Sequence, residues 1–307
     1  MGKTTIEWTD KTWNPVRGCS RVSAGCENCY AERQAGRFSG PGQAYEGLVQ
    51  LKPGGFRWTG DIKVIEKELI APLKWRKPQK IFVNSMSDLF HTGISDLELT
   101  GIFDVMIEAH KTHGHIFQIL TKRAERMNLF VHVYLTSIHP GERYLPGIWL
   151  GVSVENQEAA NERIPLLVGT PAQIRFISAE PLLGQIDLRE WFCRWEMLNE
   201  TTPSGKQLFR CKSCMRENVG PDKFCDVPRQ RVDCSKWIPP IQWVITGAES
   251  GPGARPMNVG HVRLLRDHCK ASNVAFFYKQ DADKHGKKIP LPELDGKTWA
   301  EFPRVRE

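Results

Sequence analysis

Short apolar runs that alternate with charged, helix-favouring sequence are the feature that most constrains the fold of this 307-residue chain. Such runs are typical of buried strands, and strands that alternate with helices predict an α/β fold with a parallel sheet covered on both faces. The helix candidates span residues 96–110, 157–167 and 259–271. Six runs are visible, and they begin at Ile81, Ile116, Ile148, Ile174, Trp243 and Val274.

Each of these runs ends in a small or polar cluster. Parallel α/β folds place their sites at the carboxyl ends of their strands, so the polar side chains are expected to meet at one site. The alternative is that they are caps and turn residues, the usual role of Ser, Asp and Asn at strand-to-helix junctions. The residues concerned are Asn84, Ser85, Asp88, Lys122, Ser153, Glu155, Asn156, Glu180 and Glu249.

Cysteine usage indicates the compartment. The chain has nine cysteines, an odd number that falls in clusters, and it opens without an apolar signal segment. We therefore expect a reducing, cytoplasmic location, where clustered thiols bind metal more often than they pair. No apolar stretch approaches the roughly 20 residues that span a bilayer, so no membrane attachment is expected. The net charge of +7 permits an anionic partner without requiring one.

The first cysteine group has the spacing C-x6-C-x2-C and consists of Cys19, Cys26 and Cys29. Thiolates are soft ligands that suit zinc or iron–sulfur clusters. Structural zinc takes four ligands, whereas the first histidine of the chain is His91. A [4Fe-4S] cluster held by three cysteines, with one iron open, is the leading interpretation. A zinc site completed from elsewhere in the chain, or plain buried thiols, are the alternatives.

The second group lies in residues 190–240, a Cys-rich segment that interrupts the strand–helix pattern. A C-x2-C pair followed by two further thiols is a competent four-ligand set, which predicts zinc or an auxiliary iron–sulfur cluster. Unliganded cysteines are the alternative. Positions 201–240 hold eight basic and four acidic residues, a local charge of +4 that would suit nucleic acid. The four cysteines are Cys211, Cys214, Cys225 and Cys234, while Cys193 and Cys269 are expected in the core.

Longer strings of note lie at residues 6–10, 12–15, 84–90, 120–123, 151–156, 180–184, 247–256 and 276–280. They resemble the phage-associated three-Cys-motif family, a domain of unknown function. The run from Gly25 to Ala31, together with parallel strands that end in polar clusters, is similar to radical S-adenosylmethionine enzymes of the spore photoproduct lyase-like branch. The resemblance implies a partial (β/α)6 TIM-like barrel of the radical S-adenosylmethionine type over residues 1–307, with residues 190–240 as a metal-binding insertion.

The resemblance also implies cofactors: a [4Fe-4S] cluster and S-adenosylmethionine, which together would yield a 5′-deoxyadenosyl radical. From charge and position, Glu155 or Asp88 would bind the methionine amino group and Lys122 its carboxylate. Two departures from the broader enzymes stand out. Their cysteine spacing is C-x3-C-x2-C, and the Gly-Gly-Glu string that follows their second strand is replaced here by residues 84–88. The residues expected around the cofactor are Ser85, Asp88, Lys122, Ser153, Glu155 and Glu180.

Two functions from different classes follow. The first is a cytoplasmic radical enzyme that modifies or repairs a nucleic acid or a nucleotide, with an electron donor such as a flavodoxin and a genetically linked companion protein as partners. The second is a zinc-dependent nucleic-acid-binding phage protein without radical chemistry, in which both cysteine groups are structural.

Overall fold

The computed structural model describes residues 4–192, 195–201, 207–211, 217–219 and 240–304. The first strands are β1 (Lys11–Trp13), β2 (Val16–Arg17), β3 (Val49–Lys52), β4 (Gly55–Trp58), β5 (Lys63–Val64), β6 (Lys80–Val83), β7 (Ile116–Thr121), β8 (Ile148–Ser153) and β9 (Ile174–Ala179). They are followed by β10 (Trp195–Thr201), β11 (Gln207–Cys211), β12 (Glu217–Val219), β13 (Trp243–Gly247), β14 (Ala275–Ala282), β15 (Lys288–Pro290), β16 (Glu293–Leu294) and β17 (Lys297–Thr298). The helices are α1 (Tyr30–Gly36), α2 (Glu66–Leu69), α3 (Asp96–His113), α4 (Ala124–Ile138), α5 (Gln157–Gly169), α6 (Arg189–Phe192) and α7 (Val259–Ala271), with single 3-10 turns at Ala24–Cys26 and Ala71–Lys74.

The main sheet has eight strands that curl into a half-barrel, in the order β1-β6-β7-β8-β9-β13-β14-β15. All neighbours from β1 to β14 are parallel, and β15 is antiparallel. The six apolar runs are β6, β7, β8, β9, β13 and β14, as predicted. The sheet has one more parallel strand than the six expected, because β1 pairs with β6 and sets Lys11 opposite Ile81.

Helices cover the outer face of this sheet and bury one large apolar core against it. The three predicted helices are present as α3, α5 and α7, and α3 runs one turn further than expected before it ends at Gly114, whose φ of 70° is left-handed. A capping box starts α3, since Ser95 and Glu98 each hydrogen-bond the other's backbone N–H. In the described ranges, no helix is long and apolar enough to cross a bilayer.

The inner face of the half-barrel carries a second, smaller core, which we call the aromatic layer. Its rings contact one another at short range: the Trp8 and Phe82 centroids lie 4.6 Å apart, and Trp243 lies 5.6 Å from Phe176. Tilted and edge-on aromatic pairs add to the stability that burial of their area supplies. The layer consists of Trp8, Phe82, Trp149, Ile174, Phe176, Trp243, Ile245 and Phe277.

Residues 190–240 lie between β9 and β13 along the chain, although these two strands are direct neighbours in the sheet, with Trp243 opposite Phe176. The described parts of this segment form an antiparallel sheet of their own, in the order β10-β11-β12. The predicted core position of Cys269 is confirmed, since it is fully buried in α7. Cys211 ends β11, and Cys193, Cys214, Cys225 and Cys234 lie outside the described residues, so the second metal site stays a prediction.

Candidate functional site

A cavity of about 640 Å³ lies at the carboxyl ends of the parallel strands, and we call it the strand-end cavity. Its wall includes all three cysteines of the first group and most of the predicted polar residues. Glu155 is the exception among the predicted cofactor residues, because it does not line the cavity. The predicted residues that do are Cys19, Cys26, Cys29, Asn84, Ser85, Asp88, Lys122, Ser153, Glu180 and Glu249.

The cysteines lie on one loop, residues 18–29, between β2 and α1. The loop begins at Gly18, whose φ of 89° favours glycine and whose missing side chain lets the Asp61 carbonyl approach: a Cβ would lie 2.2 Å from that oxygen. Cys19, Cys26 and Cys29 are all free thiols of intermediate exposure. We refer to this segment as the cysteine loop.

Arg123, which follows β7, fixes the start of the cysteine loop. Its Nη2 donates to the Ser20 carbonyl at 3.0 Å and to the Ser20 hydroxyl at 2.8 Å, and its Nη1 lies 3.9 Å from the Cys19 sulfur. The same guanidinium pairs with Asp88 at 2.8 Å. Asp88 also accepts from the Thr121 hydroxyl and from the backbone of Phe90 and Lys122, so its carboxylate is engaged within the protein.

Glu155 holds the middle of the loop. Its Oε1 accepts from the Gly25 N–H at 3.3 Å, and its Oε2 pairs with Arg163 at 3.1 Å, with both side chains at most 2 % exposed. Burial acts to raise the pKa of Glu155, but the nearby Ser23 hydroxyl and the Arg163 and Lys122 cations outweigh burial, so the pKa is lowered. The structure therefore places Glu155 as a support of the cysteine loop.

A third anchor comes from the segment after β13. Arg255 donates to the Ala24 carbonyl and to Glu27, both at 2.9 Å, and forms a two-pronged pair with Glu249. Asn28 donates to the same Glu249 carboxylate at 3.0 Å. The pKa of Glu249 is lowered, because these hydrogen bonds and the Arg255 charge outweigh the opposing effect of burial. Sequence reasoning named Glu249 but missed Asn28 and Arg255, although the 247–256 string contains Arg255.

The other predicted residues form pairwise contacts around the cavity. Lys122 Nζ donates to the Ser153 hydroxyl at 2.9 Å, and Lys279 pairs with Glu180 at 2.7 Å. The Ser85 hydroxyl bonds to Asn14 at 3.2 Å, and its carbonyl accepts from the Tyr30 hydroxyl. Most of the residues that were predicted to meet at one site therefore line one cavity wall. Asn156 instead is the N-cap of α5, as the alternative of caps and turn residues predicted.

Cations exceed carboxylates on the cavity wall. Lys122, Arg33 and Arg37 have no carboxylate partner in the part of the chain that the structure describes: Lys122 contacts Ser153, Arg33 the Ser250 carbonyl, and Arg37 the Gln34 side chain. Because unpaired cations attract anions into a cleft of low dielectric, the wall suits an anionic group.

The thiols fit iron–sulfur ligation by their chemistry. Burial and the Asp88 carboxylate raise the pKa of Cys19 to about 12 against the effect of Arg123, and burial also raises the pKa of Cys29. These thiols stay protonated until a metal displaces the protons. Among the described residues, no group of three or more His, Cys, Asp or Glu side chains forms a site for a metal ion. A four-iron cluster binds each thiolate through a different iron atom, so its ligands lie farther apart than those of a single ion, and the three cysteines line one cavity.

Fold and site together define an α/β protein with a three-cysteine loop over a cavity at the strand ends. The chain belongs to DUF5131, a family described as a protein of unknown function, whose model matches residues 3–303. No curated protein and no solved structure matches the chain.

Proposed function

We propose that this protein is an iron–sulfur enzyme of the radical S-adenosylmethionine type that acts on a nucleic acid or a nucleotide. One observation carries the proposal: Cys19, Cys26 and Cys29, on a single loop, line the same cavity at the carboxyl ends of the parallel strands. Three thiols leave one iron of a [4Fe-4S] cluster open to a ligand, and the cavity of about 640 Å³ offers room for both.

The fold supports this assignment at a coarser level. A half-barrel of parallel strands with its polar residues at the strand ends is the arrangement that the resemblance to radical S-adenosylmethionine enzymes implies. The long C-x6-C spacing is accommodated by the single 3-10 turn Ala24–Cys26, which lies within the cysteine loop. The absent Gly-Gly-Glu string leaves residues 84–88 to form this part of the wall.

The protein's own groups hold the loop and tune its charge. Arg123, Glu155 and Arg255 each fix a different part of the loop, so the thiols reach the cavity on a preorganised backbone. Lys122, without a carboxylate partner among the described residues, is placed to attract the carboxylate of a bound amino acid. When bound, the cluster would supply one electron that cleaves S-adenosylmethionine into methionine and a 5′-deoxyadenosyl radical.

The polar groups of Ser85, Ser153 and Glu180 complete the wall in this proposal. Glu180 is paired with Lys279, and Ser153 with Lys122, so each side chain is oriented before a ligand arrives. Reduction requires a one-electron donor such as a flavodoxin, and the genetically linked companion protein is a candidate partner. Cys211, Cys214, Cys225 and Cys234 would hold zinc or an auxiliary cluster.

The rim of the cavity favours a nucleic acid or nucleotide as substrate. Tyr30 is 48 % exposed, and it lines the cavity together with Arg33 and Arg37. Exposed aromatic rings stack on bases, and unpaired cations contact phosphates. Binding of an oligonucleotide should weaken as salt rises, and Arg37→Ala should reduce the salt slope.

The decisive experiment is anaerobic reconstitution with iron and sulfide, followed by metal analysis, absorption spectroscopy and addition of dithionite with S-adenosylmethionine. We expect a brown chromophore and the formation of 5′-deoxyadenosine. Cys29→Ala should lose cluster iron, whereas Cys269→Ala, at a fully buried cysteine of α7, should retain it. Zinc as the sole bound metal, or equal iron in both variants, would overturn the assignment and favour the zinc-dependent nucleic-acid-binding protein.

A further inference from the structure

Asn84 is a buried amide without partners. Asn84 is only 3 % exposed and lines the strand-end cavity, and in the part of the chain that the structure describes neither its side-chain oxygen nor its side-chain nitrogen has a hydrogen-bond partner. A buried polar group without a partner destabilises the folded state, so an orphaned amide on a cavity wall indicates a ligand that supplies the missing bonds. No other side chain on this wall combines burial with two unpaired polar atoms in the described ranges.

The backbone at Asn84 gives a second, independent observation. Its φ of 55° lies in the left-handed region, where glycine would be the least strained choice. The backbone is held there because the Asn84 N–H donates to the Trp13 carbonyl at 2.8 Å and the Asn84 carbonyl accepts from Ser87 at 3.3 Å. Glycine could form both of these backbone hydrogen bonds, so the side-chain amide is the only group that asparagine adds at this position.

Several apolar side chains line the cavity together with Asn84. Phe82 precedes it by two residues, Trp8 contacts Phe82 with centroids 4.6 Å apart, and Leu120 ends the apolar run of the neighbouring strand β7. All of these residues line the cavity together with Asn84. A cavity lined by apolar side chains and one unpaired amide suits a planar heterocycle whose edge offers a donor next to an acceptor.

We infer that Asn84 reads the edge of an adenine base bound against Trp8 and Phe82. The asparagine oxygen accepts from the N6 amino group and its NH2 donates to N7, the two-bond pairing by which asparagine selects adenine. Asn84 thereby gains partners for both orphaned atoms, and the base lies against the apolar part of the wall.

This inference concerns the cavity of the proposed function and rests on that function only for the source of the base. An adenine could belong to S-adenosylmethionine or to a nucleotide substrate. The hydrogen-bond pattern on Asn84 is the same in both cases, and so the ligand arms of the test must separate the two sources.

The test is calorimetric titration of the full-length protein with adenosine, inosine and 7-deazaadenosine. Inosine lacks the N6 donor and 7-deazaadenosine lacks the N7 acceptor, so the protein should bind adenosine about tenfold more tightly than either analogue, the discrimination of one bidentate base contact. Asn84→Gly, which suits the left-handed backbone, should abolish this preference. Asn273→Gly is the matched control, because Asn273 also has a left-handed φ of 54° but does not line the cavity.

A wild-type protein without base preference, or an Asn84→Gly variant that keeps the preference, would overturn the inference. If Asn84→Gly loses its native circular dichroism, Asn84→Asp decides: it keeps the side-chain shape, and it should lose discrimination against 7-deazaadenosine. Loss of S-adenosylhomocysteine affinity in Asn84→Gly assigns the base to the cofactor; loss of 5′-AMP affinity alone assigns it to the substrate. If the protein prefers adenosine but binds no cluster iron, the proposed function is wrong and this inference still holds.

Discussion

On the inner face of the half-barrel, packed aromatic residues give way to cavity-lining polar residues within two positions along the same strands. On β9, Phe176 belongs to the aromatic layer and Ser178 to the cavity wall. On β6 and just after it, Phe82 lies where the two meet, since it belongs to the layer and also lines the cavity, whereas Asn84 lines the cavity alone. Side chains two positions apart on a strand point to the same face, separated by about 7 Å along it. One continuous surface therefore has a packed half and a functional half.

The two halves meet opposite requirements. In the aromatic layer, Trp243 is fully buried, and its indole N–H donates to the Glu301 carbonyl at 2.8 Å, so its packing and its polar group are both satisfied. On the cavity wall, Asn84 is nearly as buried, and its side chain has no hydrogen-bond partner among the described residues. The Trp149 indole N–H of the layer has no partner among these residues either, but Trp149 does not line the cavity, whereas Asn84 does. The contrast therefore indicates that the layer supplies stability, whereas the wall retains an unpaired group beside open space for a ligand.

The largest expected effect tests the stabilising role of the layer. Trp243→Ala should lower the free energy of unfolding by about 3–5 kcal/mol, because it leaves a cavity between Trp8, Trp149 and Phe176. Urea unfolding followed by circular dichroism measures the change. Cys29→Ala on the cavity wall is the comparison and should change stability by less than about 1 kcal/mol. Equal losses in both variants would remove the distinction between the two halves.

A somewhat smaller effect is expected where the protein supports the cysteine loop. Glu155→Gln should lower the free energy of unfolding by about 3 kcal/mol, because the buried Arg163 charge would keep only the exposed Glu162 carboxylate at 3.9 Å as its partner. Iron retention after reconstitution should fall as well, since the Gly25 N–H loses a charged acceptor. Glu158→Gln, at an exposed position of α5, the helix that carries Arg163, is the control and should change neither quantity by much. Unchanged stability in Glu155→Gln would contradict the support role.

Acid should weaken the same support by a smaller amount. The folded-state pKa values of Glu155 and Glu249 lie below the ordinary glutamate value of 4.5. Their contribution to stability is therefore fully present above that pH and is lost as the pH falls through the folded-state values. The free energy of unfolding should decline below about pH 4.5, and less steeply in Glu155→Gln, which cannot titrate at that position. Parallel pH profiles for the two proteins would argue against the shift at Glu155.

The sequence predicted the sheet better than the contacts at the site. Parallel strands and their polar ends follow from local patterns, since Ile174 and Trp243 begin recognisable apolar runs. β1 was missed because three residues, Lys11–Trp13, carry too little periodicity to indicate a strand. Glu155 and Arg163 are eight residues apart on a strand end and a helix, and Arg255 reaches Ala24 from 231 positions away. Such pairings depend on tertiary geometry, which no short window contains.

The smallest expected effects are those of two glycine-to-alanine substitutions, which should change the free energy of unfolding in opposite directions. A Cβ on Gly25 would lie 3.1 Å from the Glu155 carboxyl carbon and 3.2 Å from the Lys122 Cε, so Gly25→Ala should press the loop away from its support and cost about 1 kcal/mol. Gly101 lies exposed within α3 with nothing near its missing side chain, so Gly101→Ala should raise stability by about 0.5–1 kcal/mol. Thermal unfolding distinguishes the two signs, and iron content after reconstitution should fall only in Gly25→Ala. If Gly25→Ala raised stability instead, the cysteine loop would have room for a methyl group at this position. The close approach of Gly25 to Glu155 and Lys122 would then not be required for the function of the loop.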